Sequence, residues 1–385
     1  MYAEYLACIF YCCIVDAELK FMPYVLGRHG FGDYSSIDLQ KYLAGKVVSL
    51  SYGFGDYTRK ISGWTTPKDL PSLMELVYCA FTDFSLTDED YNATVSIYEN
   101  LLPNQESNPE YLFSKYINLS IYENPRKHVL TVDDIKDSEK GIIETIVKMM
   151  TANAADYTFI FVGNVDAESL RPMIEKYIAS LPSNPKSSIK EQNLYGIDVK
   201  SGIETHSYST KMETPQTWVY IDKTAAVTYD IKNSLMAEIA GMILSDRLLA
   251  KVREEMGAVY SIGAEGFVQP VGNPNAHIIT AFPMKPEFKD EVLAYITSEF
   301  KNMETSVTEN EVRKAAEFIS KSHKENSARN EYLFSGIQRW LQSGQDMISS
   351  RLEVLNTITV DDIQAFMRQV NSQNNCQTVT LNPDK

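Results

Sequence analysis

Apolar side chains at Leu235, Ile239, Ile243, Leu248 and Val252 recur at three- to five-residue steps, which predicts one helix with a buried face. Gly257 then supplies a helix stop. Beyond it, Ala258 to Ala264 reads as a strand, with Tyr260, Ile262 and Ala264 on one face by the two-residue period. Pro270 to Pro274 turns the chain into Ala276 to Phe282, so a hairpin is expected. The apolar run Tyr5 to Val15 is read as a core helix or as a disturbed chain start. It follows Glu4 with no Lys or Arg before it, and it is too short to span a bilayer.

The chain repeats itself. Glu110-Tyr111-Leu112-Phe113-Ser114 recurs as Glu331-Tyr332-Leu333-Phe334-Ser335, an offset of 221 residues. Upstream, Thr87 with Asp90 matches Thr308 with Glu311 at the same offset, both in the capping-box arrangement that opens a helix. Thr131-Val132-Asp133-Asp134-Ile135 recurs as Thr359-Val360-Asp361-Asp362-Ile363 at an offset of 228, which reads as a third matched helix start with a short insertion. Each copy closes on a β-branched or aromatic run, Tyr157 to Val162 and Gln377 to Leu381, expected as strands. The polar, proline-broken stretch from Leu181 to Ser188 looks like a linker. The expected organisation is therefore a first domain over 1–182, a linker over 183–200 and a second domain over 201–385. Strands grouped before helices favour α+β layering over an alternating parallel sheet.

The 385-residue length suits two domains, and 44% hydrophobic with 23% charged residues is an ordinary globular composition. A net charge of -15 repels a phosphate backbone, so nucleic acid is not an expected partner, and no segment reads as transmembrane. Cys8, Cys12 and Cys13 crowd the start while Cys79 and Cys376 stand alone, so the five cysteines give no disulfide framework and no metal knuckle.

The candidate chemistry lies in Arg253-Glu254-Glu255-Met256-Gly257-Ala258-Val259-Tyr260, where an arginine at a helix end precedes a tyrosine by seven residues. Taken alone, the pair is better read as an arginine capping a helix C-terminus and a half-buried strand tyrosine. The segment resembles the helix-to-strand passage of the pitrilysin-type, or M16, metallopeptidases. So do the two-copy organisation, the passage Asp38 to Lys46 and the strand exit Phe161-Val162-Gly163-Asn164-Val165-Asp166. The likeness runs from about Gly32 to the C-terminus and points to the C-terminal, zinc-free half, as in bacterial zinc proteases of this family.

That resemblance implies two duplicated LuxS/metallohydrolase-like α+β domains, each an antiparallel sheet packed with helices on one face. It gives Arg253 and Tyr260 supporting catalytic roles toward substrate and transition state. A guanidinium forks toward carbonyl or carboxylate oxygens, and a phenol can donate to the oxyanion of a tetrahedral intermediate. Members that cut peptides carry His-x-x-Glu-His in their N-terminal half, where zinc activates water. Here His29, His128, His206, His277 and His323 each lack a second histidine four residues away, so no metal site and no bound cofactor are expected in this chain. Zinc is expected in a partner half, on another subunit or upstream. His29 with Asp33 is read as a surface pair in a glycine-rich loop, and His323 as a solvated residue of a charged helix. No nucleophile elbow, P-loop or dinucleotide fingerprint is present in a suitable context.

The leading expectation is a substrate-gripping half that closes a chamber on an unfolded peptide, inactive alone. The alternative is a non-catalytic M16-like scaffold or peptide-binding protein, and a self-sufficient enzyme comes third. Compartment is open in the sequence, with a lean, from the resemblance, toward the bacterial periplasm or cell envelope.

Overall fold

The computed structural model describes residues 16–55, 57–187 and 198–384. The Tyr5 to Val15 run lies outside them. The chain divides into two units, one within residues 1–106 and 128–194, the other within 107–127 and 195–385. Residues 107–127, which the sequence assigns to the first domain, thus pack with the second unit.

The second unit is built on β5 (Ile203–Thr210), β6 (Thr217–Ala226), β7 (Glu265–Val268), β8 (Asn275–Met284) and β9 (Asn375–Pro383), in the order β5-β9-β6-β8-β7. Neighbours are antiparallel, as expected, except that β5 runs parallel to β9. Directly paired residues share a face. Val219 and Ile221 on β6 pair with Phe282 and Thr280 on β8, and Val219, Ile221, Ile278 and Phe282 are buried. Their core includes side chains of α9 (Ile231–Leu248), α10 (Lys289–Asn302), α11 (Glu309–Asn326) and α14 (Val360–Ser372). On the other face, α5 (Pro109–Ile121) stacks Tyr116 on Tyr208 at 4.0 Å and sets Phe113 against Trp218 at 5.6 Å. The expected hairpin is β7 with β8. Its first arm begins at Glu265 and not at Ala258, and residues 258–264, with a bend at Tyr260, join no ladder among the described residues.

The first unit carries α1 (Asp16–Val25), α3 (Leu70–Thr82), α4 (Asp88–Gln105), α6 (Val132–Asp137), α7 (Lys140–Thr151) and α8 (Ala167–Met173). Phe21, Met22, Val25, Ile135, Ile143 and Val147 form its main core. Its β-structure, among the described residues, is two separate pairs. β1 (Gly30–Phe31) pairs with β4 (Phe84–Ser85), and β2 (Val48–Phe54) with β3 (Arg59–Thr65). Tyr157 to Val162, expected as a closing strand, joins no ladder among the described residues.

Element order recurs at a constant offset of 221. It carries α4 onto α11, α5 onto α12 (Asn330–Ser343), α6 onto α13 (Arg351–Leu355) and α7 onto α14 to within a few residues at each end. The contacts agree, since α6 packs on α1 and α4 as α13 packs on α9 and α11. This corrects one sequence match. Thr131 caps α6 and Thr359 caps α14, two helices in non-equivalent places. A threonine three residues before an acidic side chain satisfies the same orphan amides at any helix start, so the motif arises independently.

The close approach of α9 to β7 is backbone on backbone. A Cβ on Gly241 would collide with the Gly266 amide, and one on Gly266 with the Ala237 carbonyl. Gly266→Ala is therefore expected to destabilise the second unit by at least about 2 kcal/mol through overpacking, read as a lower urea midpoint at unchanged slope.

Candidate functional site

Asp230 caps the start of α9, its carboxylate accepting from the Asn233 amide at 2.7 Å. Leu235, Ile239, Ile243, Leu244 and Leu248 anchor the helix in the core. From Leu249 to Glu255 the helix continues as a wider turn, with the Met256 amide donating to the Lys251 carbonyl at 2.9 Å. Val252 is fully buried and accepts at its carbonyl from the Ala258 amide at 3.0 Å. Gly257, at φ +61°, makes the reversal that a side chain would strain.

Two clamps then hold the backbone. The Lys285 amide donates to the Ala258 carbonyl at 2.9 Å, and the Thr280 hydroxyl to the Gly263 carbonyl at 2.7 Å. Ala258, Val259 and Ile262 are buried, while Tyr260 between them is 92% exposed. The strand expectation for this run, with Tyr260 and Ile262 on one face, is therefore corrected, and so is a half-buried Tyr260. Arg253 is also exposed, with Glu254 as its ion partner at 3.6 Å. Both candidate residues are presented to solvent, one on the wide turn and one on the clamped run.

Arg247, two turns earlier on α9, was missed by sequence reasoning. Its guanidinium donates to Glu311 at 2.7 Å and 3.1 Å, to Glu299 at 3.0 Å, and to Ser306. It ties the helix end that precedes Arg253 to α10 and α11. Also missed were Asp222 and His277, buried side by side in the sheet at 3.0 Å with Tyr220 donating to Asp222 at 3.3 Å and Phe267 stacked on the imidazole. Burial first, and the Asp222 carboxylate next, push the Tyr220 phenol well above its ordinary value.

The remaining histidines have local partners. His29 is buried, not part of a surface pair with Asp33. Its Nδ1 meets the Leu26 carbonyl at 2.8 Å among Phe31, Tyr52 and Phe84, and burial lowers its pKa. His323 contacts the Tyr332 hydroxyl at 2.8 Å, and His206 pairs with Glu204 at 3.1 Å. Among the described residues no three His, Cys, Asp or Glu side chains group as metal ligands, and no helix is long and apolar enough to cross a membrane.

Residues 148–318, which include Arg253 and Tyr260, match the family profile of the peptidase M16 inactive domain. The chain is 19% identical over 343 residues to the Escherichia coli protein described as probable zinc protease PqqL, covering 88% of this chain and 36% of that protein. It thus spans about a third of that relative's length. The crystal structure of the periplasmic protease PqqL from Escherichia coli superposes with a TM-score of 0.80 at 18% identity, over 98% of this chain and 42% of that one. The peptidase M16 inactive domain from Pseudomonas fluorescens superposes at 0.73 and 14% identity, over 95% of this chain and 88% of that one. The chain resembles the C-terminal inactive half of the bacterial M16 zinc proteases.

Because both side chains are exposed, Arg253→Ala and Tyr260→Phe are each expected to change unfolding free energy by less than about 0.5 kcal/mol, measured in urea. Arg247→Met behaves oppositely. Burial raises the Glu311 pKa, and the Arg247 and Thr308 hydrogen bonds more than offset this, leaving it below its ordinary 4.5. A depressed carboxylate contributes stability above its unfolded value and loses it as pH falls through the folded one. The variant should lose about 2 kcal/mol at pH 7 and less at pH 3, as shown by urea titrations at the two values.

Proposed function

We propose that this chain is the substrate-gripping half of an M16-type zinc metallopeptidase, closing with a zinc-bearing half around an unfolded peptide. The observation that carries the reading is the presentation of Arg253 and Tyr260 on a clamped backbone, within the segment that matches the M16 inactive domain. In this role Arg253 holds a backbone carbonyl or carboxylate of the peptide. Tyr260 donates a hydrogen bond to the oxyanion that would form when water activated by zinc in the other half attacks the scissile carbonyl. Among the described residues nothing hydrogen-bonds the exposed Tyr260 hydroxyl, which leaves it available to an oxyanion. The relative's description as a periplasmic protease supports the cell envelope as the place of action.

The test is assembly with a zinc-bearing M16 half, followed by peptide cleavage and metal analysis. The isolated chain is expected to bind no stoichiometric zinc and to cleave nothing. In the assembled enzyme Tyr260→Phe should lower turnover at least about tenfold, as loss of one oxyanion donor does in general. Unchanged turnover removes the role of Tyr260, and failure to cleave with any zinc-bearing half favours the scaffold reading.

A further inference from the structure

Thr280 is the polar residue on an otherwise apolar face of β8. Ile278, Phe282 and Met284 on that face belong to the core of the second unit, and Thr280 among them is 1% exposed. A buried hydroxyl is costly unless it is hydrogen-bonded. This one donates to the Gly263 carbonyl at 2.7 Å, 17 residues away, in the run that carries Tyr260. A valine would fill nearly the same space, so packing alone does not account for the oxygen.

The run needs such a bond because the edge of β8 beside it is poor in donors. Backbone groups of alternate strand residues point to the same side. Asn275 and Lys285 both face β7 and the run, since the Asn275 carbonyl accepts from the Gln269 amide and the Lys285 amide donates to the Ala258 carbonyl, each at 2.9 Å. Pro283 shares their parity and has no N–H to give. The ladder between β7 and β8 starts only at Glu265, opposite Ile279. Before it, the run is tied to β8 and its exit near one end by the Lys285 amide and near the other by the Thr280 hydroxyl.

Tyr260 sits between those two ties. Val259 and Ile262 are buried on either side of it while its own ring is exposed, so the direction of the phenol follows from the path of the backbone. The tie at Ala258 comes from a backbone amide, which most residues at position 285 would supply. The tie at Gly263 depends on one side-chain oxygen. An oxyanion donor works only when it lies about 2.7–3.1 Å from the developing charge, and a misplacement of about 1 Å can lower a rate as much as a hundredfold.

We propose that Thr280 is a positioning residue for Tyr260. By holding the Gly263 carbonyl, its hydroxyl fixes the far end of the run so that the phenol meets the oxyanion, and it takes no part in gripping the peptide. This role rests on the oxyanion assignment of Tyr260 made above. It separates turnover from binding, because Arg253 lies before Gly257 on the wide turn anchored by buried Val252 and keeps its place when the Gly263 end is loosened. Removing the hydroxyl therefore lowers kcat and leaves KM nearly unchanged, the pattern of an interaction made only in the transition state.

The experiment compares Thr280→Val, which keeps the shape, with Thr280→Ser, which keeps the hydroxyl. In the full chain alone, chymotrypsin cleavage after Tyr260, followed by mass spectrometry, should be about five- to tenfold faster in Thr280→Val, the effect of one lost hydrogen bond, and within about twofold of the unsubstituted chain in Thr280→Ser. In the enzyme assembled with a zinc-bearing M16 half and given an unfolded fluorogenic peptide, Thr280→Val should lower kcat about five- to tenfold with KM within about twofold, and Thr280→Ser should retain most of the rate. In the Tyr260→Phe background, Thr280→Val should lower kcat by less than a further factor of about two. A Thr280→Val chain no more open to cleavage, or a loss of rate that persists in full beside Tyr260→Phe, overturns the proposal. Undiminished turnover in Tyr260→Phe removes the oxyanion role and the positioning role with it, whereas undiminished turnover in Thr280→Val alone removes only the positioning role.

Discussion

The second unit depends on two glycines meeting. With no Cβ on Gly241 or Gly266, α9 settles onto β7 so closely that helix and strand backbones touch. That contact fixes the height of α9 over the sheet, and the apolar stripe from Leu235 to Leu248 then has one way to fill the core. Everything after the helix follows from its position. Val252 is buried, so the wide turn at Leu249–Glu255 ends at one place, and Gly257 reverses the chain there. Arg247 adds an electrostatic brace from the same helix to α10 and α11 through Glu299 and Glu311. A charge of this kind is stabilising where its donors all find acceptors, as these do.

What the sequence could and could not reveal follows from range. The helix through Val252 and its stop at Gly257 were legible because helical periodicity and a glycine with positive φ are local signals. The strand expected at Ala258–Ala264 failed because Val259 and Ile262 look like strand positions, whereas the ladder on β8 is occupied by Glu265–Val268. The buried anchors there are three residues apart, so Tyr260 and Ser261 are thrown outward. Asp222 with His277 left no trace, since single polar residues in two strands 55 positions apart carry no joint signal until the sheet pairs them. Arg253 and Tyr260 were legible as a spacing, but their exposure was not. The Thr131 match misled for the opposite reason, being a good local rule that any helix can satisfy.

The two parts of the chain related by the 221-residue offset can be compared within one molecule. The helices recur at a constant offset, as expected if helical packing is set by local stripes and caps that each copy carries. The sheets diverge, because a strand is stable only with its neighbours. In the second unit each ladder finds its partner and polar side chains such as Gln377 fold back onto nearby carbonyls. In the first unit Tyr157 and Phe159 pack against Phe81 of α3, and the Arg59 guanidinium donates to the Met150 carbonyl beside Asp156.

Around Tyr260 the backbone is already fixed at Ala258 and Gly263 by hydrogen bonds to β8 and its exit. Immobilising the side chain on a ligand then costs the entropy of little more than its own two torsions, and binding loses little to ordering. A side chain held out on a fixed backbone in this way can meet a ligand without rearrangement of the chain that carries it.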